Sequence, residues 1–195
     1  MAEEPILRQL LVAMERRYRK QLEKAEEKGG VVGNRYPFQT HLAIEVLLAK
    51  AVREKLPVAL VCGGLPEGFY DQDLQLQFGA CAKAGVPVKV AVWNDTPSVV
   101  PDWLRRLAQE HRGAFELRWS GKLGEVGERL PHFLVVGKDH YRQEAVHRDL
   151  TNEAFSGFSP EVPARIAFQD AEGAGRLLDL FGLVWDACHP LDVAA

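Results

Sequence analysis

The chain has 195 residues, 47% of them hydrophobic, with 24 Lys and Arg against 27 Asp and Glu for a net charge of −3. That length buries a sizeable core without disulfides or metal, and the composition excludes a disordered chain. The charge balance carries no overall signature of nucleic-acid binding, which would need a local basic patch.

The acidic start MAEEPILRQL has no long apolar run and does not read as a signal peptide. Residues 4–28 read as a helix, with Leu7, Leu10, Leu11, Met14 and Tyr18 forming one apolar stripe. Arg16, Arg17, Arg19, Lys20 and Lys24 interleave with Glu15, Glu23, Glu26 and Glu27. That mixture is the pattern of a solvated face with i,i+4 pairs rather than of a phosphate site. Gly29-Gly30 stop the helix, and GGVVGNRYPFQ reads as a loop. A second helix over 39–55 is apolar nearly all round, the pattern of a buried helix.

PVALVCGG is a buried strand by its short apolar run, 71–84 a helix, and VKVAVW the next strand. Short links between them point to a right-handed parallel crossover. A helix over 101–111 and the strand AFELRW come next. His132 to Gly137 and His140 to Glu144 pattern as a hairpin reversed at Gly137-Lys138-Asp139. The stretch 145–163 is polar with no clear period, RIAFQ is another strand, and AEGAGRLLDLFGLVWDAC is a closing helix with a broad apolar face. The pattern predicts an α/β fold: a mixed β-sheet flanked by helices, with an N-terminal helical extension. Residues 1–38 are read as that helix and loop, and 39–195 as the α/β domain.

Several sites of chemistry are excluded by spacing. Gly121-Lys122 is followed by Leu123, so no hydroxyl is placed to hold magnesium in a phosphate loop. Gly173-Ala174-Gly175 is half of a dinucleotide fingerprint, with Leu178 where the third glycine would be; a flexible helix entry is the plainer reading. There is no GxSxG elbow and no HExxH helix. His140 and His147, near Asp139, Glu144 and Asp149, match no standard metal spacing. Cys62, Cys81 and Cys188 are widely spaced without a CxxC, which fits reduced thiols of a cytoplasmic protein. No cofactor, metal or membrane partner is expected, since no run nears the roughly 18 apolar residues of a membrane span.

Two sets of residues stand as candidates. Asp71 and Asp73 open the helix after the first buried strand, and Asn94 and Asp95 end the second. Ligands in open α/β sheets bind beyond the carboxyl ends of such strands. Acids also favour helix N-termini, and Asn-Asp favours turns, without any ligand. The second candidate is His132, which opens the hairpin.

Four segments together resemble one half of the phospholipase D-like superfamily, the HKD phosphodiesterases. THLAIEVLLAKAVREKLPVALVCGG looks like its opening helix and strand, and FGACAKAGVPVKVAVWND like its crossover. HFLVVGKDHYRQE sits where its HxK-x4-D motif lies, and ARIAFQDAEGAGRLLDLFGLVW looks like its closing strand and helix, with Phe181 and Trp185 as a Phe-x-x-x-Trp pair. The resemblance covers about Thr40 to Pro190. It implies a nucleophilic histidine, a lysine two positions on that holds phosphate, an aspartate that orients the histidine, and a second histidine from a mate that protonates the leaving group. His132 and Asp139 match the first and third, but Leu134 stands at the lysine position. The motif is therefore degenerate, and the expectation is a non-catalytic module that binds a protein or nucleic-acid partner. The alternatives are a phosphodiesterase or nuclease using His132 with a substitute cation, and a small-molecule sensor. Single-motif members of this superfamily pair across a two-fold axis, so a homodimer is expected.

Overall fold

A computed structural model of the chain describes residues 3–63, 69–94, 100–121, 129–146 and 156–191. Asp95, His147 and Asp149, together with residues 122–128 of the glycine-rich connection, lie outside the described residues.

The first helix, α1 (Glu3–Lys28), lies against the second, α2 (Pro37–Glu54). Its burial falls further along than the stripe read from sequence. Tyr18, Leu22 and Ala25 are buried at i, i+4 and i+7, Leu11 and Met14 are partly covered, and Leu10 is half exposed. Periodicity marks a helix but does not say where along it the neighbouring helix begins.

The segment read as a loop after Gly29 instead forms strand β1 (Gly30–Asn34), an edge strand antiparallel to β7 (Ala164–Phe168). Only its partner makes these five residues extended, and a single-sequence reading has no access to that pairing. Helix α2 begins at Pro37, two residues before the expected start, because proline suits the first helical turn. The Gln39 carboxamide oxygen accepts the backbone N–H groups of Arg35 and Tyr36. As predicted, α2 is buried on most sides.

Strand β2 (Val58–Cys62) is buried at all five positions, as expected of a central strand covered on both faces. It leads through α3 (Gln72–Lys83) to β3 (Val88–Trp93), and through α4 (Asp102–Glu110) to β4 (Phe115–Ser120). β2, β3 and β4 are parallel neighbours. β5 (Phe133–Val136) runs antiparallel to β2 and forms a hairpin with β6 (His140–Glu144), which pairs with β7. Helix α5 (Ala171–Ala187) comes next, and the two-residue strand β8 (His189–Pro190) closes the far edge on β4. The eight-stranded mixed sheet has the order β1-β7-β6-β5-β2-β3-β4-β8.

Helices α1 to α4 bury one face of the sheet around Leu47, Leu48, Phe78, Leu104 and Leu134. α5 covers the other face with Ala174, Leu177, Phe181, Val184 and Trp185. Phe181 and Trp185 stack at 5.4 Å, and the Arg118 guanidinium lies over the Trp185 ring at 4.4 Å while donating to its carbonyl. Gly173 is more than a flexible helix entry. A Cβ there would collide with Asp170 Oδ2 and the Tyr141 hydroxyl, whose own hydrogen bond of 2.8 Å ties β6 to the start of α5.

Candidate functional site

The direction of the strands places the site. β5 is antiparallel to β2, so the residue before it, His132, lies at the carboxyl edge of the parallel strands. β6 returns to the same edge, and the Glu144 N–H donates to the His132 carbonyl at 2.8 Å. His132, Gly63, Asn94, Ser120 and Glu144 therefore meet at one end of the sheet.

His132 Nδ1 lies 3.1 Å from Glu144 Oε2, and Gly63 N–H donates to His132 Nε2 at 3.2 Å. The two contacts select the tautomer with its proton on Nδ1 and a lone pair on Nε2. The Trp93 ring packs edge-on against the imidazole at 5.4 Å. A Cβ on Gly63 would stand 3.1 Å from Trp93 and 3.2 Å from His132 Nε2, so glycine allows this close approach. Asn94 bridges the neighbouring strand ends: its carboxamide donates to the Gly63 carbonyl at 2.8 Å, and its own carbonyl accepts from Trp119 Nε1 at 3.0 Å.

Behind the histidine lies a buried ion pair. Arg142 and Glu144 share a face of β6, and Arg142 Nη1 donates to Glu144 Oε1 at 2.6 Å. Arg142 Nη2 donates to Thr40 Oγ1 at 2.9 Å, which also accepts from Asn34 Nδ2 at 2.6 Å. Arg142 is 4% exposed, and the register puts it directly opposite Leu134, which is 2% exposed. The cation opposite the motif's lysine position thus comes from the next strand and is paired with a carboxylate. Burial pushes the Tyr18 phenol well above its ordinary range, with Arg142 opposing. Burial also raises the Tyr70 phenol, with Cys62 and Glu144 adding to it and Arg142 again opposing.

Asp139 does not orient His132. β5 separates them, and Asp139 Oδ1 instead lies 3.2 Å from His140 Nε2 at the hairpin turn. The other candidates divide in the same way. Asp71 and Asp73 line a groove on the helical face, where Asp71 Oδ1 lies 2.8 Å from His41 Nε2 and accepts the N–H groups of Asp73 and Leu74. Burial raises the Asp71 carboxyl, but the His41 and backbone hydrogen bonds outweigh it and hold it below the ordinary value. Asn94 is not among the residues lining that groove.

Arg142, Thr40, Gly63 and His41 belong to these candidate sites without being singled out by the sequence, and Glu144 figures there only as an acid near His140 and His147. Register offers a signal for two of them. A turn joining Val136 to His140 puts 134 opposite 142 and 132 beside 144. Among the described residues, no three His, Cys, Asp or Glu side chains gather to hold a metal ion, and no helix is long and apolar enough to cross a membrane.

No family model matches the chain, and no curated protein does. Solved structures do. Nuc from Salmonella typhimurium, a phospholipase D family member, is 14% identical, with a TM-score of 0.60 over 84% of this chain and 99% of its own. NucT from Helicobacter pylori is 10% identical, with a TM-score of 0.56 over 84% of this chain and 100% of its own. TrmBL2, an archaeal chromatin protein with a novel mode of DNA binding, is 18% identical, with a TM-score of 0.58. That match covers 96% of this chain, too much to leave α1 out, and 66% of TrmBL2. These likenesses establish a phospholipase D-like fold.

Proposed function

We propose that the chain is a non-catalytic phospholipase D-like module that works by binding a protein or nucleic-acid partner and pairs with a second copy of itself. The observation that carries this reading is the pairing of Leu134 with Arg142. The position from which a lysine would hold phosphate is a buried leucine, and the cation across from it already neutralises Glu144. A phosphodiester transition state needs that positive charge uncommitted. The carboxyl-edge histidine is likewise held between Gly63 N–H and Glu144. The DNA binding of TrmBL2 adds nucleic acid to the partners worth testing.

A second reading has its own support: Arg142 is a cation on the histidine's face of the sheet, so a phosphodiesterase could use it in place of lysine. Hydrolysis of bis-p-nitrophenyl phosphate and of DNA and RNA, with and without EDTA, separates the two. The binding module shows no turnover above buffer. Turnover abolished by His132→Ala would overturn it in favour of the enzyme. Gel shifts with single- and double-stranded nucleic acids across salt then sort the partner, since phosphate contacts weaken steeply with salt. Light scattering reads the pairing, and a strict monomer would remove it.

A further inference from the structure

Three side chains from three elements meet inside the protein, on the face of the sheet that carries α1 to α4. Tyr18 comes from α1, Asn34 from β1 and Arg142 from β6, and they are 3%, 5% and 4% exposed. Thr40 Oγ1 ties two of them together, because it accepts from Asn34 Nδ2 at 2.6 Å and from Arg142 Nη2 at 2.9 Å. The third is near enough for the Arg142 charge to act on its phenol.

Each of the three keeps one buried polar atom unsatisfied. Arg142 uses Nη1 on Glu144 and Nη2 on Thr40, and its Nε–H has no hydrogen-bond partner among the described residues. Neither has Asn34 Oδ1 or the Tyr18 hydroxyl. Buried polar groups are paired as a rule, and an unpaired one is costly. Two donors and one acceptor in one cluster call for a shared partner. An anion there would face the Asn34 oxygen and stand close to the Glu144 carboxylate, and a cation would face the Arg142 guanidinium. A neutral molecule that both accepts and donates suits all three, and a buried water makes about three such bonds.

We propose that one buried water bridges Tyr18 Oη, Arg142 Nε and Asn34 Oδ1, and that through it α1 positions the arginine behind His132. The water accepts from the phenol and the guanidinium and donates to the carboxamide oxygen. From there the links are direct. Arg142 Nη1 donates to Glu144 Oε1 at 2.6 Å, and Glu144 Oε2 lies 3.1 Å from His132 Nδ1. Tyr18 is therefore a positioning residue. The sequence pattern sets α1 apart from the α/β domain, yet this bridge makes one of its side chains part of what holds the carboxyl-edge histidine. No catalytic step enters the bridge, so it stands or fails separately from the binding-module reading.

A crystal structure of the full chain, at a resolution that shows ordered water, tests the bridge, and the ring nitrogen chemical shifts of His132 test the coupling. The expected result is one solvent peak about 2.7–3.2 Å from all three atoms in the wild type. Tyr18→Phe keeps the ring that packs edge-on against Phe38 and removes only the hydroxyl. In that variant the His132 Nδ1 and Nε2 resonances should move, while those of the exposed His189 stay in place. Circular dichroism checks that the variant keeps the native fold. Tyr18 bonded directly to Asn34 or Arg142 with no solvent between them, or an ion in the water's place, would overturn the bridge. Unmoved His132 resonances in the folded variant would overturn the coupling.

Discussion

Two histidine–carboxylate pairs sit at opposite ends of the β5–β6 hairpin. His132 meets Glu144 at 3.1 Å at the carboxyl edge of the sheet, and His140 meets Asp139 at 3.2 Å at the turn. The chemistry of each pair is the same, but the surroundings are not. At the turn, the His140 ring is buried, takes Gln169 N–H on Nδ1, and stands within the field of Glu26, Lys50 and Glu54 of α1 and α2. At the carboxyl edge, the His132 side chain keeps 22% of its surface exposed, packs against the Trp93 ring, and is backed by a buried arginine paired with Glu144. A histidine beside an acid is therefore no site by itself. What makes one end a candidate and the other a structural tie is which edge of the sheet it faces.

Substitutions probe this contrast. The largest effect is expected at Arg142. Arg142→Ala leaves the Glu144 carboxylate without its buried counter-ion and removes one of the two side-chain donors to Thr40, which should cost about 3–5 kcal/mol, read from the urea midpoint. A loss under about 1 kcal/mol would mean that the carboxyl-edge network is solvated rather than part of the core. Next is Gly173→Ala, on the opposite face of the same hairpin. The added methyl meets Asp170 and the Tyr141 hydroxyl, and the overpacking should cost about 1–3 kcal/mol in the same measurement.

The turn end makes a prediction about pH. Burial lowers the His140 pKa below its ordinary value of 6.5, and this outweighs the opposing pull of Asp139. The native state therefore binds fewer protons than the unfolded chain as pH falls through the ordinary histidine range. The stability that comes from keeping His140 neutral is full above the unfolded value and is lost as pH falls through the lower, folded one. Urea midpoints measured from about pH 8 to about pH 5 should decline less steeply in His140→Gln than in the wild type. Identical slopes would show that the turn histidine is solvated. The smallest effect is expected where neither pair is involved. Arg176 and Glu172 are exposed i,i+4 neighbours on α5, so Arg176→Ala should change stability by no more than about 0.5 kcal/mol.

Much of the fold is legible in the sequence because the relevant signals are local. The runs at Val58–Cys62 and Val88–Trp93 and the closing apolar helix announce themselves by composition and period. The hairpin is legible too, as is its position in a phospholipase D-like order of elements. β1 is not, because GVVGN becomes a strand only by pairing with β7, more than a hundred residues away. Half of the expected site is misplaced for a similar reason. The motif spacing joins His132 to Asp139, but a strand carries its side chains away along the sheet, and the residue that meets His132 comes back on the neighbouring strand as Glu144.

The alternation of helices and strands, the hairpin, and the leucine that stands where the motif needs a cation all depend on neighbours in the chain, and the amino-acid order alone specifies them. Three features needed the assembled fold: Arg142 faces that leucine, Glu144 rather than Asp139 holds His132, and Asp71 and Asp73 join His41 and Glu15 in a groove apart from Asn94. The physical reason is that charge and hydrogen bonding act over a few ångströms through space. Strand register and helix packing set which distant residues come that close.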